Sequence, residues 1–438
     1  MSRRGHVGHR VRRKSTHAWA LCGLLLAGTA AACPATAATL TVFCSSSGTE
    51  LSLCHHAVQS WMEKTGHEVR VIALPSDWGT VLPLYRQLLS AHHPVADVLI
   101  LDSTWVGALA PLLMDIPPTD DDAATLPPPF QVEGRHVALP WYRDIGLLFY
   151  RRDLLERYHL PVPTHWNDLE RTATLIQNAE YQRGHPVWGY VWQGRTSESL
   201  VCNALEWDGA ENPVGTDGTV RTSLPGLQRA LERAAHWIGT VSPPGVLNYD
   251  EENARGIFQS GHAVFMRNWV YAWTLANSPD SPVSGKIGVA PLPHDAQNAP
   301  NGIDGTVYLG IPRNTAHSAE ALSLLHYLTS ETAERNQALA GGYIPARTSL
   351  LDDPEIRSAI PILDTIRPAL ASLGLRPVAQ TGIDYPRVSW IMANHFKDAL
   401  RSTHPAWQTL TSLVSSLKQL AMLGQWTLSN STIERHAP

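Results

Sequence analysis

One stretch of the chain combines a polar aromatic cluster with a β-type run: Pro140-Trp-Tyr-Arg-Asp-Ile-Gly-Leu-Leu-Phe-Tyr-Arg-Arg-Asp-Leu-Leu155. The cluster contains Trp141, Tyr142 and Asp144, the β-type run covers 146–150, and a helical start follows. An aromatic ring can stack on the apolar face of a sugar, and a carboxylate accepts hydrogen bonds from neighbouring hydroxyls. The stretch therefore predicts a ligand-contacting segment that leads directly into a strand.

Strands and helices alternate upstream of this stretch. Apolar patterning predicts strands at 40–44, 69–74 and 98–101, with helices at 51–62 and 81–89 between them. This β-α-β-α-β order predicts an α/β fold with a mostly parallel sheet and helices on both faces. Ligands of such sheets bind beyond the carboxyl ends of the strands, where Glu50 and Asp102 are expected to lie.

The later part of the chain argues for two lobes rather than two consecutive domains. A length of 438 residues is too long for one ordinary domain, and strands return at 285–290 and 305–311 before a largely helical remainder. We expect the chain to cross between the lobes near Asp144, near Pro293 and within 341–350. These crossings predict an N-terminal lobe of 39–144 plus 294–345 and a C-terminal lobe of 145–293 plus 346–438.

The N-terminus has the features of a secretion signal. Six basic residues precede an apolar run over 19–32, and small residues follow, so a signal peptide is expected over 1–38. The whole chain has 34 Lys and Arg against 39 Asp and Glu, and no acidic residue lies in that segment. The secreted chain would therefore be clearly acidic, which disfavours nucleic acid and anionic lipid as partners and is compatible with a neutral ligand.

The cysteine spacing matches no metal motif, and no cofactor or metal is expected. Cys44 and Cys54 lie at the end of the first strand and in the first helix. A disulfide between them is possible in an oxidising compartment, and the sequence leaves this question open. Cys202 is expected to be a buried free thiol.

Four stretches in order carry a resemblance to a known family: 138–155, 189–194 with 200–206, 258–271 and 285–293. Aromatic and charged residues like those of the opening stretch recur at 102–105, 267–271 and 375–377. Together they resemble the extracellular solute-binding proteins, family 1, of ABC sugar importers, most closely the trehalose/maltose-binding branch. The resemblance implies a two-lobe periplasmic-binding-protein fold of type II, like that of maltose-binding protein, with a ligand cleft that closes by a hinge motion.

The same resemblance implies a function and a set of site residues. It implies a monomeric periplasmic protein, not an enzyme, that binds a neutral disaccharide such as trehalose or maltose and delivers it to inner-membrane ABC permease subunits. The positions that match the family's sugar contacts are Glu50, Asp102, Tyr142, Asp144, Trp269, Tyr271, Gly305 and Arg376. Simpler roles for these residues are a helix cap (Glu50, Asp102), a hinge hydrogen bond (Tyr142, Asp144), a core aromatic (Tyr271) and a surface ion pair (Arg376).

One departure from the family's pattern concerns a stacking ring. Where relatives of this branch have Gly-Gly-Trp, this chain has Gly305-Thr306-Val307. The glycine can still bring its backbone close to a ligand, but a tryptophan platform is missing. The change affects one sugar subsite and therefore the identity of the disaccharide.

Other functions are compatible with parts of the pattern. Asp102 and Asp144 could be the acid and nucleophile of a secreted glycoside hydrolase. A related binding protein could take another oligosaccharide, a polyamine or a glycerol-phosphate ester, and a phosphate would require cations such as Arg376, Arg143 or Arg267. A receptor that presents a bound sugar to a chemosensor would have the same sequence features.

Overall fold

The protein is represented by a computed structural model that describes residues 37–423, apart from 47–48, 76–77, 91–94, 118, 120–124, 126, 128–129, 210, 296–301 and 402–404. The expected signal peptide over 1–38 therefore falls almost entirely outside the described residues. Within the described part, no helix is both long and apolar enough to cross a bilayer.

The strands form two separate sheets. In chain order the described strands are β1 (Thr39–Cys44), β2 (Glu68–Ala73), β3 (Val98–Asp102), β4 (Phe130–Val132), β5 (Arg135–Arg143), β6 (Leu147–Arg151), β7 (Trp188–Val191), β8 (Ala263–Asn268), β9 (Ile287–Ala290), β10 (Val307–Gly310) and β11 (Ile344–Pro345). The first sheet has the order β11-β5-β10-β3-β1-β2, with β4 paired to β5, and the second has the order β7-β8-β6-β9.

Helices connect the strands and make up most of the C-terminal part. The described α-helices are α1 (Glu50–Thr65), α2 (Trp78–Leu89), α3 (Ser103–Leu109), α4 (Arg152–Arg157), α5 (Trp166–Gln182), α6 (Glu198–Asp208), α7 (Pro225–Trp237), α8 (Glu251–Gln259), α9 (Tyr271–Ala276), α10 (Ser318–Leu328), α11 (Glu331–Gly341), α12 (Pro354–Ala359), α13 (Leu363–Leu370), α14 (Val378–Thr381), α15 (Tyr385–Arg401) and α16 (Ala406–Leu423).

The prediction of a mostly parallel first sheet is wrong. β1 pairs in parallel with β2 and β3, as the β-α-β-α-β order requires, but β10 is antiparallel to both β3 and β5. The chain enters β10 at Val307, opposite Asp102 at the carboxyl end of β3, so it has to run back along that strand. Sequence periodicity identifies the strand but carries no information on its direction.

The second sheet is buried on both faces. Along β6, Leu147 and Phe149 pack into one apolar cluster, and Leu148, between them, packs into another. This alternation follows from the two-residue repeat of a strand. Strands of the first sheet fall within 39–144 and 294–345, and those of the second within 145–293, while the exact lobe boundaries stay a prediction.

Helix α1 ends at a glycine and is tied to β1 by a disulfide. Gly66 adopts a left-handed φ of 74°, a conformation that costs glycine little, and its N–H donates to Met62 O. Cys44 and Cys54 are bonded, with their Cα atoms 6.5 Å apart. The bond closes the loop that leads into Glu50, the first residue of α1.

Candidate ligand-binding site

A cavity of about 840 Å³, counting its open mouth, is lined by residues that follow or precede strands of both sheets. Its lining includes all eight residues that the sequence singles out: Glu50, Asp102, Tyr142, Asp144, Trp269, Tyr271, Gly305 and Arg376. The structure thus brings together residues separated by as many as 326 positions in the chain, from Glu50 to Arg376.

Strand β10 explains how two of these residues become neighbours. It lies between β3 and β5, and Val307 is opposite Asp102 on one side and Tyr142 on the other. In the second sheet, β6 and β8 pair so that Leu147 is opposite Asn268. This register places the segment after Asp144 beside the segment that begins with Trp269.

Glu50 is buried and accepts a hydrogen bond from a tyrosine. Tyr142 Oη donates to Glu50 Oε1 over 2.9 Å, and the Tyr343 ring packs edge-on against the Tyr142 ring with centroids 4.7 Å apart. The pKa of Glu50 is raised to about 7, mainly by burial and also by the nearby charge of Asp144. Hydrogen bonds from Ser45 and Tyr142 act in the opposite direction and limit the increase. Glu50 therefore does more than favour a helix start.

Asp102 has two roles. It is the N-cap of α3, where its Oδ1 accepts from Thr104 N over 2.8 Å and from Thr104 Oγ1 over 2.7 Å. The same oxygen lies 3.5 Å from Arg376 Nη2. The simpler helix-cap role is thus present, together with a position on the cavity wall.

Arg376 is not a surface ion pair, because its side chain is only 3% exposed. Nη1 donates to Glu198 Oε1 over 3.2 Å, and Nη2 donates to Ser103 Oγ over 3.0 Å and to Asp304 O over 2.8 Å. A buried guanidinium with this many partners is held rigidly. It links the C-terminal segment to α3 and α6 at the cavity wall.

Asp144 uses one carboxylate oxygen for the backbone. Oδ1 accepts from Ile145 N over 2.8 Å and from Val270 N over 2.9 Å, and within the described chain Oδ2 takes no hydrogen bond. Burial raises the pKa of Asp144 to about 7, while the two backbone hydrogen bonds and Arg267 oppose the increase. The second oxygen is thereby able to accept a further hydrogen bond.

Trp269 and Tyr271 follow β8 and present two rings to the cavity. The Arg267 guanidinium lies 3.9 Å from the centroid of the Trp269 ring and covers one face of it. Trp269 Nε1 donates to Glu251 Oε1 over 3.3 Å, and Tyr271 Oη donates to Glu252 Oε1 over 2.7 Å. Tyr271 is partly buried, yet it remains part of the cavity wall.

Gly305 lines the cavity and leaves no room for a side chain. A Cβ at this position would lie 2.7 Å from Trp269 Cζ3 and 3.3 Å from Asp144 Cβ. Its N–H donates to Asp144 O over 2.9 Å. Val307, which stands where the family pattern has a tryptophan, also lines the cavity.

Sequence reasoning missed nine further lining residues: Trp78, Glu198, Ser199, Cys202, Asp250, Glu251, Glu252, Val307 and Tyr343. Trp78 begins the helix after β2, so the strand-end rule that selected Glu50 and Asp102 could have found it. The run Asp250 to Glu252 forms the N-cap and first turn of α8, a start signal that is visible in the sequence. Glu198 and Ser199 likewise begin α6 after the N-cap residue Ser197, whereas Cys202 and Tyr343 carry no such signal.

The cavity wall has seven carboxylates and one guanidinium. Arg143 and Arg267, considered above as phosphate ligands, do not line it. Arg143 Nη2 donates to Leu370 O over 2.7 Å, and Arg267 forms a fully buried ion pair with Glu206. Among the described residues no group of His, Cys, Asp and Glu has an arrangement suited to a metal ion.

Comparisons with known proteins agree with this architecture. A probable ABC transporter-binding protein of Deinococcus radiodurans is 34% identical over 412 residues, covering 91% of this chain and 98% of the relative. The maltose-bound MalE3 of T. maritima is 33% identical with a TM-score of 0.81, covering 88% of this chain and 100% of that one. A solute-binding protein of Thermotoga lettingae bound with α-D-tagatose, at 19% identity and a TM-score of 0.76, covers 88% of this chain and 100% of that one and supports the fold alone.

The two-lobe α/β fold expected from the resemblance is therefore confirmed, and so is the similarity to ABC-transporter binding proteins. The profile of the bacterial extracellular solute-binding proteins matches residues 56–335, more than half of the chain. Together with the 34% identity to the Deinococcus protein over nearly its full length, this match shows that the chain belongs to the bacterial extracellular solute-binding proteins.

Proposed function

We propose that this protein captures a neutral sugar for an ABC importer, with a disaccharide such as maltose or trehalose as its ligand. One observation carries the proposal: carboxylates and aromatic rings surround a single cavity of about 840 Å³. The maltose bound to the 33% identical MalE3 supports the same ligand class.

The polar groups suit hydroxyls as partners. Glu50 is buried and Asp144 is partly buried, neither has an ion-pair partner in the described chain, and Asp144 Oδ2 has no hydrogen bond there. Carboxylate oxygens at a cavity wall accept hydrogen bonds from hydroxyls, so a ligand rich in hydroxyls is favoured. The Trp269 face opposite Arg267 offers an apolar surface for a sugar ring.

The charge of the wall argues against an anionic ligand. Seven carboxylates against one guanidinium would repel a glycerol-phosphate ester, and Arg376 already has four polar partners. A glycoside hydrolase is also disfavoured, because Asp102 is occupied as a helix cap and in the contact with Arg376. A polyamine or another oligosaccharide would also fit the negative wall, and spermidine tests the first of these two ligand classes.

Delivery to membrane permease subunits follows from the family, and we propose a periplasmic location and a monomeric state. The lobes would consist of 39–144 plus 294–345 and of 145–293 plus 346–438, with the cavity between them. Contacts from both sides would favour the closed state, because the open state lacks some of them.

Calorimetry on the purified protein tests the ligand class. We expect heat of binding with maltose or trehalose, weaker binding of glucose, and none with glycerol 3-phosphate or spermidine. Trp269→Ala should abolish the signal, whereas Trp390→Ala, at a ring that is 67% exposed and outside the cavity wall, should leave it unchanged. Binding of a charged solute, with no response to any sugar, would refute the proposal.

Small-angle scattering tests the closure. Saturating sugar should reduce the radius of gyration, since closure brings the two lobes together. An unchanged profile, with binding verified in the same sample, would show that the cavity is preformed.

A further inference from the structure

Three carboxylates hold three consecutive residues at the cavity. The ring N–H of Trp269 donates a hydrogen bond to Glu251, and the backbone N–H of Val270 donates one to Asp144. The hydroxyl of Tyr271 donates a hydrogen bond to Glu252. Asp144 belongs to the segment between the two sheets, and the two glutamates begin α8. The two aromatic side chains are thus oriented by residues that sequence reasoning did not select.

Glu251, which accepts the indole N–H of Trp269, is held in place by two further hydrogen bonds. Its Oε1 also accepts a short hydrogen bond from Ser199 Oγ, and its backbone oxygen accepts from Asn268 Nδ2 over 3.1 Å. The first turn of a helix stabilises a carboxylate, because the free N–H groups there carry partial positive charge. The acceptor for Trp269 is therefore held from several directions.

Glu252 is fixed by an arginine one turn further along α8. Arg255 Nε lies 3.1 Å from Glu252 Oε2 and 3.2 Å from Glu252 Oε1, and Oε1 accepts from Tyr271. Burial, followed by the charge of Glu252, raises the pKa of Tyr271 well above its usual value. The tyrosine therefore keeps its proton and remains the donor.

These contacts restrict the two rings in different ways. Arg267 covers one face of the Trp269 ring at 3.9 Å, and the backbone of Gly305 lies against its edge, so translation of the ring is restricted. The ring can still turn about its χ1 and χ2 torsions, and the hydrogen bond from Nε1 to Glu251 favours one of these orientations. For Tyr271, the bond to Glu252 fixes the position of the hydroxyl.

We propose that Glu251 and Glu252 are positioning residues that orient the rings of Trp269 and Tyr271 and thereby determine which disaccharide the site prefers. This inference rests on the proposed sugar-binding function. Preorganised rings lose little freedom when the ligand binds, so their orientation contributes to affinity and to discrimination between linkages.

A pair of substitutions separates positioning from charge. Glu251→Gln keeps an acceptor oxygen for the indole N–H, and Glu251→Ala removes it. We expect Glu251→Ala to lower disaccharide affinity about tenfold and to change the ratio of maltose to trehalose affinity, while Glu251→Gln stays within about threefold of wild type. Glu170→Ala is the matched control, because Glu170 accepts from the indole of Trp237 outside the cavity.

Double variants test whether the glutamates act through the rings. Adding Glu251→Ala to Trp269→Phe, or Glu252→Ala to Tyr271→Phe, should produce little further loss of affinity. Additive losses would mean that the glutamates contact the ligand themselves and would overturn the proposal. An equal loss for every sugar, with the maltose-to-trehalose ratio unchanged, would also overturn it.

A measurement without ligand keeps the two proposals separable. Fluorine NMR of protein labelled with 5-fluorotryptophan, with the Trp269 signal assigned through Trp269→Phe, reports the environment of that ring. The signal should be shifted or broadened in Glu251→Ala and close to wild type in Glu251→Gln and Glu170→Ala. An unaltered signal in Glu251→Ala would refute positioning, whereas failure of the wild type to bind any sugar would refute only the proposed function.

Discussion

Replacing Asp144 by Asn should stabilise the empty protein above neutral pH and weaken ligand binding at the same time. Asn retains the Oδ1 acceptor for Ile145 N and Val270 N, so the backbone contacts should persist. It removes a carboxylate whose burial raises the pKa to about 7. A partly buried negative charge that costs stability in the empty state is consistent with a group kept for a ligand.

The sign and size of the effect follow from linkage. A raised pKa means that the folded state binds the proton more tightly than the unfolded chain, so this contribution to stability is full below about pH 4 and is lost as the pH rises to about 7. A shift from 3.8 to about 7 corresponds to an upper limit of about 4 kcal/mol. An unpartnered amide N–H₂ in place of Oδ2 costs about 1–3 kcal/mol. We therefore expect a net gain of about 1–3 kcal/mol at pH 8, which shrinks as the pH falls and becomes a net loss of about 1–3 kcal/mol at pH 4, where only the cost of the amide remains.

Urea unfolding of the wild type and of Asp144→Asn at pH 4, 6 and 8 measures the difference in their free energies of unfolding. Calorimetry measures the affinity for the disaccharide, which should fall about 10- to 100-fold in Asp144→Asn. Asp364→Asn is the control. A hydrogen bond from Arg357 lowers the pKa of that exposed carboxyl. Replacing the carboxyl by an amide should therefore give no gain in the free energy of unfolding at pH 8. A stability difference that is independent of pH, or a loss of stability at pH 8, would refute the reasoning.

Two further substitutions test the packing of the cavity wall. Gly305→Ala places a methyl group 2.7 Å from Trp269 Cζ3, and overpacking of this kind should cost about 1–3 kcal/mol in urea unfolding and weaken disaccharide binding. Gly256→Ala, where a Cβ meets open space within α8, should instead be neutral or stabilising by up to about 1 kcal/mol, and equal effects of the two would contradict the argument. Arg376→Met leaves two carboxylates without their cation and should lower the free energy of unfolding by about 3–5 kcal/mol, whereas a loss below about 1 kcal/mol would show that the buried network is not needed.

Local patterning was sufficient to predict several of the strands and helices. The strands at 40–44 and 98–101 lie within one residue of their predicted bounds and the helix at 51–62 within three, because an alternating or continuous apolar pattern has few alternatives. The eight residues taken from the resemblance all line one cavity, since a motif retains its local geometry. The position of Cys202 as a buried free thiol was also predicted correctly.

Only the tertiary structure decided the direction of β10 and the disulfide between Cys44 and Cys54. Strand direction depends on where the chain returns from the second sheet, and disulfide formation depends on the distance between two Cα atoms, neither of which is encoded in local periodicity. The same is true of Glu251 and Glu252, which read as an ordinary acidic helix start. Their contacts with Trp269 and Tyr271 exist because α8 packs beside the end of β8, a long-range arrangement that no spacing in the sequence reveals.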